Sequence, residues 1–148
     1  MTPMLQQESL VKSAAVGRTN PLGATIVPGG VNFSVFSRNA TGIELLFFDR
    51  VDDARPSRVV RVDPLTSRTY HYWHVFVPGI QAGQIYGFRA HGPFEPASGL
   101  RFDSSRVLMD PYARATAVPK GLFPSSSLCE GRKHCDGDEE CGYRASHV

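Results

Sequence analysis

Tyrosine and histidine side chains recur at every second position of one aromatic stretch, residues 70–77. Tyr70, Tyr72 and His74 would share one face of a strand, because strand side chains alternate with period 2. Such rings can stack on the apolar face of a sugar, so these three residues are candidate substrate contacts. Two other interpretations stay open. The face could be ordinary sheet surface, or it could pack against another domain.

The opposite face of the same stretch carries Trp73, Val75 and Val77. Trp73 is the single tryptophan of the chain, and it could in principle bind a sugar. Large aromatic side chains beside β-branched residues are more typical of a protein core. We therefore expect Trp73 to be buried.

Two aspartates, Asp103 and Asp110, could be mistaken for a pair of catalytic carboxylates. Hydrolysis of a glycosidic bond requires two carboxyl groups that flank the bond. Asp110 directly precedes Pro111, and this combination is typical of turns. We interpret Asp110 as a turn residue.

The three cysteines, Cys129, Cys135 and Cys141, all lie in the tail, together with His134. Their spacing lacks the closely spaced cysteine pairs of structural zinc sites, so we predict no metal site. No cofactor is expected. A domain body without cysteine fits a reducing compartment and predicts no disulfide framework.

Length and composition are those of one globular domain. The chain has 148 residues, 41% hydrophobic and 20% charged, and a formal net charge of +2. This weak charge forms no basic stripe, which argues against nucleic acid as a partner. No apolar run approaches the roughly 20 residues of a membrane span. The N-terminus lacks a secretory signal, so we expect a cytoplasmic protein.

Short runs of alternating apolar residues, separated by glycine and proline turns, predict an all-β fold. We expect strands near 31–37, 43–49 and 58–62, and a β-hairpin over 70–93 whose loop is 78–84. Gly87 would mark a bulge or a close backbone approach. The pattern predicts an antiparallel, immunoglobulin-like β-sandwich. The residues expected in its core are Phe33, Val35, Leu45, Phe47, Trp73, Val75, Tyr86 and Phe88.

The chain divides into three parts by composition. Residues 1–17 are predicted to be a flexible segment, and 18–120 to form the sandwich. Within the sandwich, 101–110 could be a short helix or an extended segment. Residues 121–148 lack apolar periodicity and are expected to be a disordered tail.

Five segments, in this order and spacing, resemble the N-terminal region of isoamylase-type glycogen debranching enzymes. They are PLGAT at 21–25, GVNFSVFS at 30–37, YWHV at 72–75, YGFRAHGP at 86–93 and DPYA at 110–113. The resemblance implies a sandwich of carbohydrate-binding module family 48. In that family the sandwich precedes a catalytic (β/α)₈ barrel of the α-amylase clan, which hydrolyses α-1,6 branch linkages in glycogen or starch.

The resemblance has consequences for the site residues. The family's catalytic carboxylates belong to the barrel, whose motifs are absent here, so we assign no catalytic residue and expect this chain to be inactive alone. The implied partners are an α-glucan and the catalytic barrel. His91, Pro93, Asp110 and Tyr112 lie in segments that would pack against that barrel.

Two alternative functions remain open at this stage. The chain could be a stand-alone α-glucan-binding module that recruits a partner enzyme. It could also be a non-catalytic interaction domain without sugar affinity, and its barrel-facing patch would then be exposed.

The composition breaks abruptly after Lys120, and the genetic code suggests a reason. Reading the codons of residues 133–142 from the second base of each permits the string NTATAMKSVV. That string resembles the segment that follows the sandwich in these debranching enzymes. We therefore expect a base gained or lost between the codons of Lys120 and Glu130, with the tail read in the wrong frame.

Overall fold

The computed structural model describes residues 14–118 and the backbone of 145–147. Apart from one 3₁₀ turn at Pro96–Ser98, its regular elements are β-strands. In chain order the strands are β1 (Ala15–Val16), β2 (Gly23–Val27), β3 (Gly30–Phe36), β4 (Gly42–Phe48), β5 (Arg58–Val62), β6 (Arg68–Thr69), β7 (Tyr72–Pro78), β8 (Ile85–His91), β9 (Phe94–Glu95), β10 (Leu100–Arg101), β11 (Ala115–Ala117) and β12 (Ala145–His147).

Two antiparallel sheets contain most of these strands. The first has the order β1-β7-β3-β2, with β6 also paired to β7. The second has the order β11-β12-β8-β4-β5. Strands β9 and β10 form a separate small ribbon. The all-β sandwich expected from the sequence is confirmed, and 101–110 contains no helix.

The core lies between the two sheets and is made by alternate side chains of their central strands. Phe33 and Trp73 enter from the first sheet, and Leu45 and Tyr86 from the second; each is at most 1% exposed. Burial of each such side chain stabilises the fold by about 1.5–3 kcal/mol. The predicted burial of Trp73 is confirmed. Of the eight expected core residues only Val35 is half-buried, where it packs against the edge of the cluster.

The predicted hairpin over 70–93 is wrong, because its two strands belong to different sheets. β7 pairs with β3, with Phe33 opposite Val75, while β8 pairs with β4, with Leu45 opposite Phe88. The connection at 79–84 therefore crosses from one sheet to the other. This arrangement lets the aromatic faces of β7 and β8 meet across the core, whereas hairpin neighbours would lie side by side.

Strand β4 is covered on both faces. Its second face carries Leu46 and Phe48, which pack with Ile85 and with Val107 from the segment that follows β10. Gly87 on β8 lies beneath this segment: an added Cβ would stand 2.5 Å from Val107 Cγ1. The sequence predicted a bulge or a close approach at Gly87, and the structure shows a close approach in regular register.

The N-terminal segment crosses the outer face of the first sheet. Asn32 donates from Nδ2 to the Arg18 carbonyl at 2.9 Å and accepts from the Arg18 backbone N–H. Ser34 donates to the carbonyl of Thr19 at 2.7 Å. These bonds satisfy polar groups that would otherwise be buried without partners. Residues 15–16 of the predicted flexible segment thus form a paired strand, while 1–13 lie outside the described residues.

The predicted tail falls mostly outside the described residues. Residues 119–144, which include the three cysteines and His134, are among those not described. Residues 145–147 form β12 and pair with β8 and β11, in contrast to the unstructured tail expected there. Across the described part of the chain, no helix is both long and apolar enough to cross a membrane.

Candidate functional site

Four aromatic side chains form a surface cluster where β3 ends and β7 begins: Phe36, Tyr70, His71 and Tyr72. The rings of Tyr70 and His71 lie 3.9 Å apart between centroids, tilted by 44°. Phe36 meets His71 and Tyr72 edge to face, with centroids 5.9 and 5.3 Å away. Tyr70 is 78% exposed and Phe36 is 49% exposed. This aromatic cluster therefore offers open ring faces to solvent.

Tyr70 is held in an unusual backbone conformation. Its φ of 60° is the single positive value among the non-glycine residues described. A bulky side chain there is strained, and such strain persists where surrounding contacts impose it. Arg68 supplies one contact, because its Nε donates to the Tyr70 carbonyl at 3.0 Å. The Arg68 guanidinium in turn lies 4.8 Å from the centroid of the Trp73 ring.

The three predicted sugar contacts do not share one open face. Tyr70 is exposed, in the turn before β7, and Tyr72 is half-buried within the aromatic cluster. His74 is only 4% exposed, with its Nε2 2.9 Å from Thr69 Oγ1. Burial lowers the pKa of His74. The N-terminal segment covers this part of the sheet, which the strand alternation alone could not reveal.

Sequence reasoning missed two members of the cluster, Phe36 and His71. Phe36 lies directly opposite Tyr72 in the register of β3 and β7. Cross-strand neighbours of this kind have Cβ atoms about 4.5–5.5 Å apart. The pairing of β3 with β7 was not predicted, so the sequence held no signal that would bring Phe36 to Tyr72.

A groove of about 840 Å³ adjoins the aromatic cluster through Phe36. Its floor and walls come from the end of β3, from the 3₁₀ turn region and from the segment that follows β10. Its lining side chains include Phe36, Arg38, Phe94, Arg101, Asp103, Arg106 and Leu108. A volume of this size is typical of small-ligand sites.

The residues predicted to face another domain occupy two places. Asp110 is 1% exposed and accepts hydrogen bonds from the Tyr86 hydroxyl and the Tyr112 backbone N–H, both at 2.8 Å. The second bond is the turn contact expected before Pro111, so the turn role of Asp110 is confirmed. The side chain of Tyr112 is 54% exposed.

His91 and Pro93 lie at the far end of β8. The His91 Nε2 is 3.5 Å from Glu44 Oε2, and the carbonyl of Pro93 accepts from the Phe102 N–H at 3.4 Å. Glu44 also forms ion pairs with two arginines: its Oε1 lies 3.1 Å from Arg61 Nε, and its Oε2 lies 3.3 Å from Arg89 Nη1. Burial alone would raise the pKa of Glu44, but His91 and then Arg89 outweigh it and lower that pKa.

Asp103 and Asp110 lie in different surroundings, because Asp103 is exposed and Asp110 is 1% exposed. Asp103 accepts from Ser105 at 2.6 and 2.9 Å and pairs with Arg106 at 3.3 Å. Among residues 14–118, no group of three or more His, Cys, Asp or Glu side chains could hold a metal ion.

Comparison with known proteins gives a consistent picture. The sequence profile "Carbohydrate-binding module 48 (Isoamylase N-terminal domain)" matches residues 21–113. A glycogen debranching enzyme of Serratia proteamaculans is 48% identical over 103 residues, which is 70% of this chain and 15% of that protein. Isoamylase 1, chloroplastic, of Oryza sativa subsp. japonica is 44% identical over 109 residues, which is 72% of this chain and 13% of that protein. The chain thus spans about a seventh of the length of these curated relatives.

Solved structures agree on the fold. The pullulanase from Bacillus acidopullulyticus superposes with a TM-score of 0.52 at 19% identity, over 65% of this chain and 10% of that one. A pullulanase from Paenibacillus barengoltzii, in complex with maltohexaose and alpha-cyclodextrin, superposes with a TM-score of 0.51 at 18% identity, over 66% of this chain and 13% of that one. At this identity the likeness extends to the fold alone.

Proposed function

We propose, because the chain belongs to the carbohydrate-binding module 48 family of isoamylase N-terminal domains, that it is the accessory sandwich of an enzyme that hydrolyses α-1,6 linkages in glycogen or starch. The observation that carries this proposal is the 48% identity over 103 residues to a glycogen debranching enzyme. The match is confined to the sandwich. The catalytic chemistry therefore belongs to a barrel that this chain does not contain.

The aromatic cluster is the proposed glucan contact. The exposed ring of Tyr70 and the half-exposed ring of Phe36 provide apolar faces on which pyranose rings can stack, and Tyr72 contacts Phe36 edge to face. The strained backbone of Tyr70 favours this assignment, because strain is tolerated where a side chain must be presented in a fixed direction. His74 supports Thr69 from beneath the surface, because its Nε2 lies 2.9 Å from Thr69 Oγ1.

The catalytic barrel is the proposed protein partner. The exposed ring of Tyr112 and the exposed edge of His91 are available for this contact, with Asp110 and Pro93 holding their segments in place. We place the sandwich domain at 18–120 and the protein in the cytoplasm. Neither nucleic acid nor a membrane is a proposed partner.

The glucan contact is tested by affinity gel electrophoresis of the 148-residue chain in gels with and without glycogen. We expect glycogen to retard the wild type, and Tyr70→Ala to remove most of the retardation. Loss of one stacked aromatic side chain should weaken binding by about two- to tenfold, which corresponds to about 0.5–1.5 kcal/mol for an aromatic pair. Tyr112→Ala, which removes another exposed tyrosine ring, is the matched control and should migrate as the wild type.

Two results would count against this assignment. Equal retardation of Tyr70→Ala and wild type would move the glucan contact elsewhere on the domain. Hydrolysis of a branched glucan by the purified chain would contradict its role as an accessory domain, because hydrolysis requires two flanking carboxylates and the proposal assigns them to the barrel.

A further inference from the structure

The groove beside the aromatic cluster carries more positive charge than a neutral sugar requires. Arg38, Arg101 and Arg106 line it, with Asp103 as the acidic residue among the lining side chains. Asp103 is already engaged, because Ser105 and Arg106 occupy both of its carboxylate oxygens. Within residues 14–118, neither Arg38 nor Arg101 has a carboxylate within ion-pair distance.

Unpaired guanidinium groups in a concave site attract anions. Arginine presents five N–H donors in a rigid fork, and this fork matches the oxygens of a phosphate group in a bidentate way. Two such groups on one groove favour a ligand with negative charge. Arg38 and Arg101 are both exposed, so they are accessible to such a ligand.

The rest of the groove lining is mostly apolar, with Ser37 and Asn39 as its uncharged polar side chains. Phe36 is 49% exposed, Phe94 is 66% exposed and Leu108 is 45% exposed. These surfaces suit the apolar faces of pyranose rings better than they suit a free inorganic anion. The ligand should therefore combine sugar rings with an attached negative charge.

We infer that this groove binds an α-glucan segment that carries a phosphate monoester, with Arg38 and Arg101 on the phosphate and with Phe36 and Phe94 against the sugar rings. The inference rests on the proposed function, since it extends the glucan contact from the aromatic cluster into the groove through Phe36. The domain would then direct its enzyme toward phosphorylated regions of the polymer.

The test compares one α-glucan in two states: bearing glucose phosphate monoesters, and after treatment with a phosphatase. Retardation of the full 148-residue chain is measured in gels that contain either polymer. We expect the phosphorylated polymer to bind roughly tenfold more tightly, as is typical for hydrogen bonds to a charged group. The preference should shrink as ionic strength rises.

Substitutions locate the effect. The double variant Arg38→Gln/Arg101→Gln should lose the preference and keep its affinity for the dephosphorylated polymer. Arg55→Gln removes one exposed arginine that does not line the groove, and it should retain the full preference. The single variants Arg38→Gln and Arg101→Gln should each lose part of it. Thermal unfolding of every variant verifies that it is folded.

Failure of the phosphate inference and failure of the proposed glucan contact give different results. Equal retardation by both polymers, or an unchanged preference in the double variant, would overturn the phosphate inference and leave the glucan contact intact. Absence of retardation by either polymer would contradict the proposed glucan contact itself. Competition by inorganic phosphate as strong as by the phosphorylated polymer, at equal phosphate concentration, would show a simple anion site and overturn the inference. Selective binding of polyglutamate would point to an acidic protein partner and overturn it too.

Discussion

Asp110 ties the end of the sandwich to its core through Tyr86. The tyrosine is fully buried, and its hydroxyl donates to Asp110 Oδ2 at 2.8 Å. Burial raises the pKa of Tyr86, and the negative charge of Asp110 and the hydrogen bond to it raise that pKa further. The hydroxyl thus remains a hydrogen-bond donor at every physiological pH.

Removal of that donor should destabilise the domain. Tyr86→Phe leaves the buried Asp110 carboxylate with one donor fewer, and we expect the free energy of unfolding to fall by about 1–3 kcal/mol. Urea denaturation followed by tryptophan fluorescence measures the change, since Trp73 is the single tryptophan. Tyr112→Phe removes an exposed hydroxyl and should be neutral. A Tyr86→Phe variant as stable as the wild type would show that this hydrogen bond contributes nothing.

Glu44 is a residue whose ionisation affects the stability of the fold. Its pKa is lowered in the folded protein, so its ion pairs stabilise the fold above the ordinary value of 4.5 and are lost as the pH falls through the folded value. We expect Glu44→Gln to be less stable than wild type at neutral pH, with a difference that shrinks on acidification below 4.5.

Chemical denaturation at a series of pH values measures this difference. Glu95→Gln removes an exposed carboxylate on β9 and controls for the loss of one negative charge. If the difference between Glu44→Gln and wild type were constant from neutral to acidic pH, the paired carboxylate would not be the source of the stability.

At the scale of elements, the segment that follows β10 lies on β8 and forms one wall of the groove. Phe88 and Leu108 exchange backbone hydrogen bonds of 2.8 and 2.6 Å, and Val107 packs above Gly87. The absence of a side chain at position 87 is what permits this approach. The groove therefore depends on Gly87, although Gly87 is not among the residues that line it.

Gly87→Ala should displace this segment. The added Cβ would stand 2.5 Å from Val107 Cγ1, which belongs to a stiff β-branched side chain. Overpacking of this kind costs about 1–3 kcal/mol, and urea denaturation should show that loss. Gly42→Ala is the matched control, because the atoms nearest to its Cβ belong to the His91 side chain and lie at an ordinary contact distance of 3.7 Å. Equal stability of Gly87→Ala and wild type would show that the segment accommodates a methyl group at no cost.

Period-2 alternation predicted which face of each strand is buried, but it could not predict the partners of the strands. The faces of β7 and β8 were read correctly from Trp73, Val75, Tyr86 and Phe88, and their pairing as a hairpin was wrong. Strand partners depend on contacts between distant parts of the chain, which alternation does not encode.

The same limit explains what was missed in the candidate site. Tyr70 and Tyr72 were found because they are aromatic residues in one local stretch. Phe36 joined them only through the register of β3 with β7, and His74 was covered by the N-terminal segment. Both effects come from tertiary contacts rather than from local sequence.

At the scale of the whole molecule, the fold and the family concern the sandwich alone. The profile match ends at residue 113, and the chain spans 15% of the Serratia proteamaculans relative. The five segments shared with the family were recognisable from sequence because turns and core aromatics are fixed by local chemistry. The proposed partner, a catalytic barrel, must come from outside this chain.

We propose that this sandwich belongs to a debranching enzyme, and resequencing the gene through and beyond the codons of Lys120 to Glu130 tests this proposal most directly. We predict that the second-base frame there reads NTATAMKSVV across the codons of residues 133–142 and continues into an α-amylase-type barrel that supplies two catalytic carboxylates. Confirmed codons for residues 120–130, together with the absence of a barrel in the shifted frame, would contradict the claim and favour a stand-alone glucan-binding module.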